Sequence, residues 1–90
     1  MNKLFYSEKN KQWLFWCPAC DFPHEFDETW TFNGDPVSPT VTPSLLVNGG
    51  VNRRCHFFIT DGMLQFCEDS NHGLKGQTVE IPVWDRVGDY

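Results

Sequence analysis

The fold of this chain is decided by one stretch, Arg54-Cys55-His56-Phe57-Phe58-Ile59-Thr60-Asp61-Gly62-Met63-Leu64-Gln65-Phe66-Cys67-Glu68. Two runs rich in aromatic and aliphatic residues flank Asp61-Gly62, a dipeptide that favours a two-residue type I′ turn. The stretch therefore predicts a β-hairpin in which Thr60 faces Met63 and Phe57 faces Phe66.

Side chains alternate between the two faces of a strand, so the hairpin has one apolar and one mixed face. The apolar face, which we expect to lie in the core, carries Cys55, Phe57, Ile59, Leu64 and Phe66. The opposite face carries His56, Phe58, Gln65 and Cys67.

The rest of the chain also favours strands. The runs 12–17, 44–47 and 77–83 are short and rich in β-forming residues, and residues 30–32 precede the turn signal Asn33-Gly34-Asp35. Pro36, Pro39 and Pro43 exclude a helix around Thr40-Val41-Thr42 and favour an extended edge segment. Because helical periodicity is missing, we expect an all-β fold, a zinc-ribbon-like hairpin sheet with little or no helix.

The length limits the size of the core. Ninety residues predict a single domain over 1–90, with loosely ordered ends at 1–11 and 85–90. Domains this small often add a disulfide, a metal or a partner subunit to their core. Four cysteines and three histidines make a metal the first hypothesis to consider.

The charge balance narrows the function classes. Seven basic against twelve acidic residues give a net charge of −5, which makes nucleic acid an unexpected partner. The first ten residues lack the apolar core of a signal peptide, and no apolar run is long enough for a membrane span. We therefore expect no membrane association and a cytoplasmic location, where cysteine clusters favour metal over disulfides.

The stretch Cys17-Pro18-Ala19-Cys20 has the spacing of a zinc knuckle. Two intervening residues let both thiolates reach one tetrahedral ion. A thioredoxin-like redox pair is the alternative, but it requires a helix beginning at the first cysteine, and Pro23 follows too closely for that. We predict one Zn²⁺ per chain.

Two more ligands are needed to close a structural zinc site. The hairpin register brings several candidates to its open end, and our first choice for the full set is Cys17, Cys20, Cys55 and His72. His56 is the main rival for the third or fourth place. Cys67 is a weaker candidate, and His24 is weaker still, the alternative for it being a solvent-facing strand residue.

Several motifs together resemble a known family. They are Cys17-Pro-Ala-Cys20 with His24, Trp30-Thr-Phe-Asn-Gly-Asp35, Pro39-Thr-Val-Thr-Pro-Ser-Leu-Leu46, Cys55-His56-Phe-Phe-Ile-Thr-Asp-Gly62, and Gln65-Phe66 through Asp69, His72 and Leu74 to Gly76-Gln77-Thr-Val79. In this combination the chain, over residues 13–84, resembles small uncharacterised phage and prophage proteins, some of which carry the label ammonia monooxygenase.

The resemblance implies a similarity to a domain found near bacterial ubiquitin-like conjugation genes. It also implies expression in an infected bacterial host. Relatives more often have an aliphatic residue in place of Cys67 and a cysteine in place of Ser70, which argues against Cys67 as an obligatory ligand.

Three hypotheses for function follow. The favoured one is a non-enzymatic, zinc-stabilised accessory protein that binds a host or phage protein, for example as an inhibitor of a defence or nucleic-acid-handling enzyme. The alternative is a zinc-dependent hydrolase or transferase with Asp69, or Glu68, as base for zinc-bound water. The third is a cysteine nucleophile, Cys55 or Cys67, beside His56. A serine-hydrolase elbow, a phosphate loop and a dinucleotide motif are all missing from the sequence.

Overall fold

The computed structural model describes residues 1–47, 54–88 and 90, and the regular structure in these residues is entirely β. Strands β1 (Phe5–Ser7), β2 (Gln12–Cys17) and β3 (Phe22–Phe26) form one antiparallel sheet in the order β1-β2-β3. The second antiparallel sheet has the order β4-β5-β6-β7-β8, with β4 (Thr31–Phe32), β5 (Val41–Val47), β6 (Cys55–Thr60), β7 (Met63–Phe66) and β8 (Thr78–Glu80). The all-β prediction is confirmed, and no helix long and apolar enough to cross a membrane occurs in the described residues.

The β6–β7 hairpin has the predicted register. Thr60 pairs with Met63 and Phe57 with Phe66. Asp61 and Gly62 have φ angles of 50° and 78°, as a type I′ turn requires at both central positions. The two predicted faces are also confirmed, because the five apolar-face residues are at most 2% exposed whereas Phe58 is 43% exposed.

The core lies between the two sheets. Its fully buried aromatic residues come from both of them, and Phe15 of β2 meets Phe57 of β6 edge to face with ring centroids 5.7 Å apart. The remaining members are Leu4, Cys17, Phe26, Val41, Leu45, Cys55, Ile59, Leu64, Phe66 and Ile81. Two cysteines, one from each sheet, are therefore part of the packed interior.

Strand β5 contains an irregularity that the sequence did not predict. We expected an extended segment around Val41 and a separate strand over 44–47, but the structure joins them in one strand, Val41–Val47. Val41 pairs with Ile59 and Leu45 with Phe57, so four steps along β5 match two along β6. A bulge of this kind tolerates a proline inside a strand and redirects the side chains next to it. Here it contains Ser44.

Strand β3 corrects the expectation for His24. A solvent-facing position was the favoured alternative to a ligand role, yet the residue is 4% exposed. It stacks on Phe57 with ring centroids 5.8 Å apart. His24 shares the alternation of Phe26, which is also buried, and this places both side chains in the space between the sheets.

The N-terminal residues contact the last strand. Lys3 Nζ donates to the backbone oxygen of Ile81 at 2.8 Å and to the Glu80 carboxylate. Leu4 is 2% exposed and lies in the core. The single domain and the loosely ordered ends at 1–11 and 85–90 stay predictions.

We expect Glu80→Gln to lower the thermal stability at neutral pH but not in acid. The Lys3 ammonium, by hydrogen bonding and charge, lowers the pKa of Glu80. A carboxylate with a lowered folded pKa stabilises the fold above its unfolded pKa, and the contribution is lost as the pH falls through the folded pKa. The difference in Tm between the wild type and Glu80→Gln should therefore shrink to zero on acidification. Glu8→Gln, in an exposed pair with Lys11, is the control that should change Tm little at any pH.

Candidate active site and metal cluster

Four buried or half-buried side chains with metal-ligating atoms meet between the sheets. One ligand atom each from Cys17, Cys20, His24 and Cys55 can be chosen so that all four lie within 4.8 Å of one another. Cys17 ends β2 and Cys20 lies in the tight turn before β3, where Asp21 N donates to Cys17 O at 2.8 Å. Cys55 is the first residue of β6 in the other sheet. The cluster therefore joins the two sheets.

Two thiols of this cluster are in direct contact. Cys17 Sγ and Cys55 Sγ lie 3.9 Å apart. The hydrogen bond from Cys55, opposed by burial and aided by the nearby His24 ring, lowers the pKa of Cys17 to about 4. The same contact with Cys17, together with burial, raises the pKa of Cys55. The close thiols form a soft sulfur donor set, which suits a cation such as zinc.

Two histidines lie beside these thiols. His24 Nε2 is buried and has no hydrogen-bond partner among the described residues. His72 Nε2 lies 3.5 Å from Cys55 Sγ, while its Nδ1 accepts a hydrogen bond from Leu74 N at 3.2 Å. A neutral imidazole that accepts at Nδ1 carries its proton on Nε2, so His72 is arranged to donate to the thiol. His24, with an unused buried nitrogen, is the better candidate for the fourth ligand.

The structure thus brings together three of the four predicted metal-site residues, with His72 in contact with one of them. His56, the predicted rival, directs its ring away from the cluster. Cys67 is not a member of the cluster either. His24 was a low-ranked candidate in the sequence. The alternation of side chains along β3 directs it between the sheets and into the cluster.

A second constellation lies on the outer face of the five-stranded sheet. Ser44 Oγ is 3.1 Å from His56 Nε2. On the other side of the ring, His56 Nδ1 is 3.0 Å from Asp69 Oδ1 and 3.2 Å from Oδ2. An ionised carboxylate only accepts hydrogen bonds, so Asp69 fixes the proton on Nδ1 and leaves Nε2 to accept from the Ser44 hydroxyl. This is the hydrogen-bond order of a Ser-His-Asp triad.

The backbone of the central histidine is held by the segment that carries Asp69. Ser70, which is 3% exposed, accepts from His56 N and donates to His56 O, both at 3.0 Å. His56 O also accepts from Cys67 N at 2.8 Å. Arg54 Nη1 lies 3.8 Å from Asp69 Oδ2. These contacts fix the strand and the loop relative to each other, and so fix the histidine–aspartate pair.

The predicted catalytic roles map differently onto this site. Asp69 was considered as a base for zinc-bound water, but it is hydrogen-bonded to His56 on the opposite face from the cysteine cluster. Cys67 lies beside His56 and Asp69, and burial and the Asp69 charge raise its pKa, which disfavours a thiolate nucleophile. The nitrogen that would activate a nucleophile faces Ser44 instead.

Ser44 was missed because no local motif marks it. The G-x-S-x-G pattern is missing, and the serine lies in a proline-containing strand. Two features of the sequence could have indicated Ser44. The outward face of the predicted hairpin carries His56, and the predicted strand 44–47 begins with this serine.

Comparison with protein families relates most of the chain to a known family. A family described as "Bacterial ubiquitination-like system serine protease (BubE)" matches residues 1–67. The matched range includes Ser44, His56 and all four members of the cysteine–histidine cluster, while Asp69 lies two positions beyond it. Comparison with curated proteins and with solved structures gives no match.

Proposed function

The chain belongs to the BubE family of bacterial ubiquitination-like system serine proteases, and from this premise we propose that it hydrolyses peptide bonds with Ser44, His56 and Asp69 as its catalytic triad. The observation that carries the proposal is the continuous hydrogen-bond path from the Ser44 hydroxyl through both ring nitrogens to the Asp69 carboxylate. The same three residue types act in this order on unrelated folds.

The arrangement supports the usual two-step hydrolysis. Ser44 Oγ attacks the carbonyl carbon of the substrate while His56 Nε2 takes the hydroxyl proton. The protonated imidazole then gives that proton to the leaving amine, which breaks the peptide bond and leaves an ester on Ser44. Water, deprotonated by His56, hydrolyses the ester and restores the serine. Asp69 holds the ring in the required tautomer and stabilises its charged form.

This proposal replaces the binding-module hypothesis with an enzymatic one. A partner protein then becomes a polypeptide substrate. The metal-dependent hydrolase receives less support, because three thiols are typical of closed structural zinc sites and Asp69 already has a partner. The inhibitor role receives no support from the triad.

We further propose that the cysteine cluster binds one structural Zn²⁺ through Cys17, Cys20 and Cys55, with His24 as the fourth ligand. The buried, unpartnered Nε2 of His24 and the sulfur-rich donor set fit such an ion. The metal would supply a cross-link between the sheets, with no part in bond cleavage. Cys55 precedes His56 directly in the chain, so the cross-link fixes the strand that presents the catalytic base.

A fluorophosphonate probe should label the protein on one residue, Ser44. Such probes phosphonylate serines activated by a neighbouring base. We expect labelling in the intact protein and its loss in Ser44→Ala and His56→Ala, measured by intact mass and peptide mapping. Labelling that persists in Ser44→Ala, or a folded wild type that is never labelled, would contradict the proposed nucleophile.

A further inference from the structure

An open cleft of about 640 Å³ reaches the strand that carries Ser44, and its lining also includes Cys20 and His24 of the cysteine–histidine cluster. One wall is strand β3 with the segment that follows it, including Phe22, Glu25, Asp27 and Trp30, and the other wall is Leu46 and Val47 at the end of β5. Leu46 is two residues from Ser44 on the same strand and is 56% exposed. The volume is in the range of ligand sites.

The cleft meets an edge of β5 on which no other described strand lies. His56 N donates to Ser70 Oγ and His56 O accepts from Cys67 N, so both backbone groups of His56 point away from β5. His56 is the register partner of Leu46. In an antiparallel ladder, partners that do not bond to each other direct their N–H and C=O groups to opposite outer sides. The N–H and C=O of Leu46 therefore point to the outer edge of β5, and Leu46 itself lines the cleft.

This edge is open only on one side of the nucleophile. Strand β4 pairs with β5 at Val41 and Thr42, where it takes the place that an added strand would need. Beyond Ser44, no described strand pairs with the outer edge of β5. An exposed edge of this kind is a template for an extended peptide.

The charged side chains that line the cleft are acidic. Its eleven described lining residues include Glu25 and Asp27 and neither lysine nor arginine. The Trp30 indole N–H is buried without an acceptor among the described residues, and a peptide carbonyl in the cleft is a candidate acceptor. A neutral to basic segment is therefore favoured over an acidic one.

We propose that this cleft binds an extended, neutral to basic segment of the polypeptide substrate, N-terminal to the scissile bond, as an added antiparallel strand on Leu46. The proposal rests on the proposed function, because it takes Ser44 as the nucleophile. The antiparallel direction follows from the sheet, in which all pairs are antiparallel, and from the greater stability of that pairing. A chain in this direction passes Leu46 before it reaches Ser44.

The charge preference is tested by binding, without turnover. Zinc-loaded Ser44→Ala is titrated by calorimetry with three acetylated seven-residue peptides that differ only in carrying Lys, Ala or Glu at two positions. We expect the Lys peptide to bind about tenfold more tightly than the Glu peptide, and the order to reverse in a variant that adds Glu25→Lys and Asp27→Lys. Equal affinities, or no binding of any of the three at millimolar concentration, would overturn the proposal.

The backbone contact is tested separately. Leu46→Pro removes an N–H that points out of the sheet, and Leu46→Ala is the matched control that keeps it. We expect the proline variant to bind the Lys peptide at least about tenfold more weakly than the alanine variant. When the backbone nitrogens of the peptide are methylated one at a time, methylation at one position should weaken binding to a similar extent. If the two variants bind alike and N-methylation has no effect at any position, the added strand is wrong.

The two proposals fail in different ways. If the wild type hydrolyses peptides and Ser44→Ala abolishes this, but the peptides do not discriminate, only the cleft assignment falls. If hydrolysis persists in Ser44→Ala, the triad falls, and with it the assignment of the cleft as a substrate site.

Discussion

Replacing Ser44 with alanine should lower kcat for peptide hydrolysis by about 10⁶-fold while the protein stays folded. The hydroxyl supplies the nucleophile, and its loss leaves only the contribution of substrate binding and of the surrounding dipoles. The Ser44 hydroxyl contacts His56 on the outer face of the sheet, so its removal should disturb the core little. Initial rates on a fluorogenic peptide, with circular dichroism as the check of folding, measure the effect.

Substitutions of His56 and Asp69 should lower kcat in the pattern expected of a catalytic triad. His56→Ala should cost about as much as Ser44→Ala, and combining the two should add little, because the residues act as a unit. Asp69→Asn should cost about 10⁴-fold, since an amide can hold the ring in the wrong tautomer.

The control for these variants is Thr42→Ala. It deletes an exposed hydroxyl from the same strand and should leave kcat within about twofold of the wild type, since the hydrogen-bond path runs through Ser44, His56 and Asp69. A Ser44→Ala variant that retained wild-type turnover would disprove the triad.

Removing the metal should unfold most of the chain. Structural zinc contributes on the order of 10–16 kcal/mol apparent in zinc-finger peptides, compared with about 5–15 kcal/mol for the net stability of a typical domain. The cluster joins the two sheets through Cys17 and Cys55, so its loss should separate them. We expect one zinc per chain by elemental analysis, and loss of the near-ultraviolet circular dichroism and of the thermal transition after chelation or in Cys17→Ser.

Cys67→Ser is the matched control for Cys17→Ser, because Cys67 lies outside the cluster, and it should keep the metal. The zinc content of histidine variants shows whether His24 or His72 is the fourth ligand. His24→Ala should lose zinc or bind it much more weakly, whereas His72→Ala should retain the full stoichiometry. The reverse result would make His72 the fourth ligand. A chelated protein that kept its melting transition would show that the fold does not depend on a metal.

The sequence was sufficient for the hairpin because its information is local. Asp61-Gly62 fixes the turn, the turn fixes the register, and the register separates buried Phe57 from exposed Phe58. Cys17, Cys20 and Cys55 could be grouped for a similar reason, since the spacing of the first two is a local signal and the third begins a core-facing strand.

The remaining features depend on contacts between distant segments. His24 is recognisable as buried only once β3 is placed against β2, where it faces Phe15. The partnership of Ser44 with His56 depends on a bulge that no turn residue announces. Asp69 lies in a polar loop whose path is set by Ser70, and polar loops carry little pattern from which to predict such contacts.

The bulge in β5 makes the active site sensitive to chain length more than to residue identity. Between Val41 and Leu45, four residue steps along β5 are matched by two residue steps along β6. Both numbers are even, so the side-chain alternation is the same before and after the bulge, and Val41 and Leu45 both face inwards. Adding or deleting one residue between them would exchange inside for outside along one half of the strand. In a deep mutational scan, substitutions at exposed Thr42 should be tolerated, while single-residue insertions and deletions over 42–44 should be as damaging as the loss of Ser44 itself.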